Sequence, residues 1–194
     1  MMLRNKTIIF YSRALLFIAA FLGVYLEITK HGGFGMLLYY TVLSNLLVTL
    51  FTAYLLLKMR GDDNSWQNPG ILRLKGGVTM SIMITCVIYH FMLAPIATDF
   101  YRLENFLCHY IVPLWFLVDT LLFDKNRQYK WFDPIVWTVL PLLYMGFAIL
   151  NGLVLKMNIP NAKDNPFPYF FLNANKYGWG FVFRWAAIIF VAYM

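Results

Sequence analysis

Thr41, Ser44 and Asn45 stand at i, i+3 and i+4 within the apolar stretch YYTVLSNLLV, a spacing that puts all three on one face of a helix. His90, His109, Asn151 and Arg184 interrupt other apolar stretches. A threonine and a histidine in one water-poor pocket form a nucleophile–base pair. The imidazole takes the hydroxyl proton, the alkoxide attacks an acyl carbon, and the same proton passes to the leaving group. Histidine suits the task because its unperturbed pKa lies near neutrality. Asn45, Asn151 or Arg184 would stabilise the oxyanion. Arg184, always charged, also matches a substrate carboxylate.

Each residue also has a plainer reading. A threonine on a membrane helix commonly bonds its own backbone. Ser44 and Asn45 read better as hydrogen-bonding glue between helices. His90 reads as a satisfied core histidine. Arg184 lies far from a helix end for snorkelling, whereas Arg13 is close enough to snorkel. Asp119 lies one turn from its helix end, where it would cap or pair with Lys125. Cys108 neighbours His109, but adjacent helical residues do not face each other, so a Cys–His dyad is discounted. His31 falls in a loop and receives no role.

The elements that position these residues follow from composition. The chain of 194 residues is 61% hydrophobic and 13% charged, against about 25% charged in soluble domains. Its net charge of +7 resides mostly between long apolar runs. It therefore reads as membrane flanks rather than a nucleic-acid footprint. Apolar runs long enough to span a bilayer cover about 8–28, 36–57, 77–98, 105–123, 134–155 and 177–194. Backbone groups in lipid must be satisfied within the segment, so all are helices. The expected fold is an all-α integral membrane protein, one six-transmembrane-helix bundle spanning 1–194. The first run follows Arg4 and Lys6 but is too long for a cleaved signal segment and reads as a retained helix. The last reaches Met194 without a charged stop.

Lys and Arg counts set the expected orientation. Nine flank one side (Arg4, Lys6, Lys58, Arg60, Arg73, Lys75, Lys125, Arg127, Lys130) and five the other (Lys30, Arg102, Lys156, Lys163, Lys176), which puts both termini in the cytoplasm. Cys86 and Cys108 make no disulfide framework. The three histidines lack chelating spacing with a carboxylate, so neither a metal nor another cofactor is expected.

At 1.5 Å per residue, Thr41 lies roughly 8 Å below its outer helix end, His109 and Asn151 roughly 6 Å, Arg184 about 10 Å and His90 about 12 Å. Five helices thus supply polar groups to one outer band. Such groups are costly unless they face the bundle interior or a wet cavity. The expectation is a polar pocket with aromatic and Met walls, suited to an amphiphile, with the 157–176 loop as a lid. The partners are membrane lipids and a fatty-acid-like or lipidic ester ligand. Nothing in the sequence sets an oligomeric state.

YYTVLSNLLV, followed two helices later by HYIVPLWFLVD, resembles the androgen-induced, FAR-type membrane protein family, in particular its bacterial six-helix branch. NPFPYFFLNANKYGWG is similar to that family's Tyr-Pro-Phe stretch before the last helix, and the resemblance covers most of the chain. It implies a multi-pass protein of the bacterial cytoplasmic membrane that hydrolyses lipidic esters, of the type formed between a fatty acid and a hydroxy fatty acid. In this chain it implies Thr41 as nucleophile and His109 as general base and acid. The chain departs from the animal members in a shorter stretch between His109 and Pro113 and in Phe170, which stands where a second proline is expected.

Two other classes fit the same residues. One is a lipid or amphiphile carrier without chemistry, since polar groups at mid-depth also mark transport paths. The other is a haem protein, in which His90 and His109 on consecutive helices ligate the iron.

Overall fold

The computed structural model describes residues 5–61, 64–125 and 128–193, with the side chain of Tyr193 left out. Arg4 and Arg127, counted above for orientation, and Met194 lie outside the described residues. The described chain is all-helical. Five helices are long and apolar enough to cross a membrane: Lys6–His31, Tyr40–Met59, Pro69–Ile96, Leu103–Phe123 and Asp133–Leu155. This is the pattern of a multi-pass membrane protein. The sixth, Trp179–Tyr193, is about 22 Å long at the α-helical rise, short of the ~30 Å hydrocarbon core.

Two boundaries differ from the hydropathy reading in ways that matter. Gly33–Leu38 is a 3-10 stretch, and the second helix begins only at Tyr40. Thr41 therefore sits in a first turn instead of well inside the helix. The third helix starts earlier than expected. Asn68 caps it by accepting the Gly70 N–H at 2.8 Å, and Pro69 occupies its first position, where a missing N–H costs nothing. Lys75, read as a flanking charge, consequently lies inside the bundle with no exposure.

The first four helices pack around Leu16, Ala20, Val48, Val78, Ile82, Val112 and Phe116. The fifth and sixth join through a second core of Ala148, Phe167, Phe171, Leu172, Ala174 and Val182. Trp137 ties the start of the fifth helix to the third, because Gly76 and Gly77 have no side chain to keep its indole away.

One end of the bundle is held by ion pairs. Arg13 bonds Asp119 through Nε and Nη2 at 3.0–3.2 Å and Asp124 at 3.3 Å, and Lys75 Nζ bonds the same two carboxylates at 2.5 and 2.7 Å. None of the four exceeds 4% exposure. This corrects two expectations. Arg13 does not snorkel, and Asp119 pairs with Arg13 and Lys75 rather than with Lys125. Two cations and two anions from three helices balance one another, which is how charge is tolerated at this burial.

At the other end three helices carry π-turns: Tyr89–Leu93, Leu107–Ile111 and Asn151–Leu155. The sequence accounts for one of them directly. Pro113 has no N–H to return to the His109 carbonyl, so the regular ladder fails there and the turn widens. Such wide turns cluster at functional sites because they re-aim side chains.

Candidate active site

Thr41 and His109 meet at this second end. Thr41 Oγ1 lies 3.4 Å from His109 Nε2. His109 Nδ1 lies 3.0 Å from the Asn105 carbonyl, which can only accept. Nδ1 therefore carries the ring proton and Nε2 turns a lone pair toward the threonine. Tyr89 stacks on the imidazole with ring centroids 3.7 Å apart and holds its plane. The Oγ1–Nε2 separation is longer than a tight bond, as is common for nucleophile–base pairs before substrate binds.

Thr41 is available because of its position. The first turn of a helix leaves its N–H groups without intrahelical acceptors, and the preceding residues are not α-helical. The Thr41 hydroxyl makes no back-bond; its partner is His109. The Thr41 N–H reaches the Tyr169 hydroxyl at 3.4 Å. Tyr169 belongs to the segment after the fifth helix, where burial pushes its phenol above the usual range, so it stays a neutral O–H donor. A phenol and the positive end of a helix thus flank the hydroxyl, as oxyanion stabilisation requires.

Two hollows converge on Thr41. One, of about 740 Å³, has charged and polar walls that include Glu27, His31, Arg102, His109, Lys163 and Tyr177. The other, of about 110 Å³, is apolar and runs between the third, fifth and sixth helices past Ile88, Leu142, Met145, Ile189 and Phe190. Thr41, Tyr89, Leu93 and Tyr169 line both. The threonine stands on the boundary between a polar and an apolar compartment.

The segment between the fifth and sixth helices covers the polar compartment. Tyr39 donates to the Pro160 carbonyl at 2.7 Å and Asn161 to the His31 carbonyl at 2.7 Å. Phe167 wedges against Gly152, where any β-carbon would overlap its ring.

The remaining sequence candidates go elsewhere. Asn45 lies beneath the pair, but its Nδ2 is spent on the Thr41 carbonyl at 2.8 Å and the Cys108 carbonyl at 3.0 Å. It braces the second helix to the π-turn of the fourth and offers no free donor to an oxyanion. Ser44 bonds Thr85 at 2.7 Å and is interhelical glue. Asn151 exchanges bonds with Met157 and gives one to the Pro166 carbonyl, so it fastens the covering segment and does not reach the pair. Arg184 is exposed on the outside of the sixth helix and lines neither hollow. His90 is exposed too and meets Tyr110 Oη at 3.3 Å. The helical twist turns Tyr89 inward in its place. His109 turns neither ring nitrogen toward His90, since Nδ1 bonds the Asn105 carbonyl and Nε2 faces Thr41. Among the described residues no group of three or more His, Cys, Asp or Glu is placed to hold a metal ion.

Sequence reasoning overlooked Tyr89, Tyr169, Glu27 and Arg102. Glu27 falls one residue from the end of the 8–28 run, where an acid reads as a flank; only the observed helix, which continues to His31, puts it a turn inside. Tyr89 and Tyr169 carried no signal, being two among 13 tyrosines. No family model, no curated protein and no solved structure matches this chain.

Proposed function

We propose that the protein is an integral membrane hydrolase of lipidic esters, with Thr41 as nucleophile and His109 as general base and acid. The single observation that carries this reading is the Thr41–His109 pair at the junction of a polar and an apolar compartment. An ester joins an apolar acyl chain to a more polar remainder, and its carbonyl belongs at such a junction.

In the first half-reaction Thr41 passes its proton to Nε2 and its oxygen adds to the carbonyl. The oxyanion receives the Tyr169 O–H, whose oxygen the Thr41 N–H holds, within the positive field of the second helix's N-terminus. Collapse breaks the bond to the alcohol oxygen, which takes the proton from Nε2. In the second half a water gives a proton to Nε2, adds to the acyl-threonine, and releases the acid as Thr41 recovers its proton. The acyl chain occupies the apolar hollow and the alcohol leaves through the polar one.

The resemblance of YYTVLSNLLV and HYIVPLWFLVD to the androgen-induced, FAR-type family supports the same reading. We further propose that the sixth helix completes a six-span bundle with both termini cytoplasmic, which puts Lys6, Lys58, Arg60, Lys125 and Lys130 inside and opens the polar compartment outward. A carrier is the second reading. A hollow open at one end and ion pairs sealing the other are also what a carrier in one of its states needs.

The test is hydrolysis of a panel of lipid esters by purified wild type, Thr41→Ala and His109→Gln, together with labelling by an acyl phosphonate. Hydrolysis and labelling that vanish with Thr41 support the enzyme. Wild-type turnover retained by both variants removes it.

A further inference from the structure

Glu27 is only 5% exposed, yet no described residue hydrogen-bonds its carboxylate, and it lines the polar compartment. A buried acid without a partner is costly unless something in the hollow meets it. Across the same compartment stands Arg102. Its Nε donates to the Asp99 carbonyl at 2.9 Å and its Nη1 to His31 Nδ1 at 3.2 Å. Its Nη2 has no hydrogen bond to a described residue. Glu27 and Arg102 lie within electrostatic reach of each other but form no ion pair.

Several of the other charges nearby are paired. Glu104 takes His31 at 2.8 Å and Lys30 at 3.3 Å. Lys176 takes Asp164 at 3.1 Å, and Lys163 donates to the Ile96 carbonyl at 3.1 Å. Asp99 and Lys163 line the hollow too, but both are exposed at its mouth and have no charged partner among the described residues; deeper in, a buried acid and a half-buried base, Glu27 and Arg102, face the hollow without touching. That arrangement complements a group carrying both charges.

Building on the hydrolase reading for the bound ester, we infer that the polar compartment is a head-group site for a zwitterionic membrane amphiphile, Glu27 holding its ammonium and Arg102 its phosphate. Tyr39 lines the same wall and adds an aromatic face of the kind that favours an ammonium. Guanidinium and phosphate match as a planar fork. With the head so placed, the linked chain passes Thr41 into the apolar hollow. The substrate class becomes esters of phosphoammonium lipids, and anionic-headed esters bind less well because Glu27 repels them.

The experiment measures binding, so that it does not depend on turnover. Full-length protein in maltoside micelles is titrated calorimetrically with hexadecylphosphocholine and hexadecylphosphoethanolamine, and with hexadecylphosphoglycerol as the anionic control. None of these has a carboxylic ester. Wild type and Thr41→Ala are expected to prefer the ammonium heads by at least about tenfold, the size of one charge-assisted contact. Glu27→Gln loses that preference and Glu27→Asp keeps it. Arg102→Gln weakens all three ligands together and supplies an independent reading if Glu27→Gln does not fold. Equal binding of the three ligands by wild type overturns the inference, as does a preference unchanged in Glu27→Gln. A preference that survives while no ester is cleaved removes the hydrolase and leaves the head-group site. Cleavage without a preference does the reverse.

Discussion

The two ends of the bundle are both polar, and they use polarity in opposite ways. At one end Arg13, Lys75, Asp119 and Asp124 face one another, and each charge has its opposite within hydrogen-bond distance. At the other end Thr41, His109, Glu27, Arg102 and Tyr169 line one hollow. The first group closes the bundle on itself. The second leaves a lone pair, a hydroxyl, an acid and a base for something that is not the protein. In a membrane both arrangements are costly to assemble, and the difference lies in what completes them. The closed end is completed by folding, whereas under the proposed function the open end is completed by a bound lipid.

The sharpest test of that contrast removes the nucleophile. Thr41→Ala is expected to lower ester turnover by at least about 10³-fold while leaving thermal stability near wild type, because the hydroxyl faces the hollow and its contacts, the His109 imidazole and the Tyr169 phenol, both line it. Both are read on one purified sample. Asp119→Ala is the mirror experiment. It takes the shared acceptor from Arg13 and Lys75, leaves buried cations short of a partner, and costs about 3–5 kcal/mol of stability. The midpoint of unfolding in detergent measures it, and a fold as stable as wild type would mean that the ion pairs do not hold this end together.

Tyr169→Phe is expected to reduce turnover by about 10²-fold with little change in KM, the usual effect of losing one oxyanion donor. A fall in binding alone would assign Tyr169 to the compartment wall instead. The smallest effect belongs to Arg184→Gln. Its side chain lies on the exposed side of the sixth helix, and turnover of any ester, with or without a carboxylate, should stay within about twofold of wild type, in line with other surface changes. A selective loss on carboxylate-bearing esters would bring Arg184 back into the site.

Part of this was legible in the residues themselves. Apolar run lengths mark the five long helices, and a polar group at similar depth on successive runs marks a common band. Thr41 and His109 stood out because their types can exchange a proton, their estimated depths match and the family resemblance points to both; that the second and fourth helices meet there was not legible. The depth argument could not tell which way each side chain turns. It treated His90 and Arg184 as equivalent to Thr41, although one residue along a helix is a rotation of about 100°. His90 turns outward for that reason and Tyr89 takes the inner position.

Composition and periodicity determine the helical class, the apolar spans and the need for buried polar groups to find company, because lipid gives backbone and charge no alternative partner. Tertiary structure decided which polar groups find it in one another. Arg13 and Asp119 are 106 residues apart in the chain and close a shared network. Glu27 and Arg102 face the same hollow and do not. Partnership depends on the rotation and depth of whole helices, set by side-chain packing across the bundle, and residue types carry no record of it.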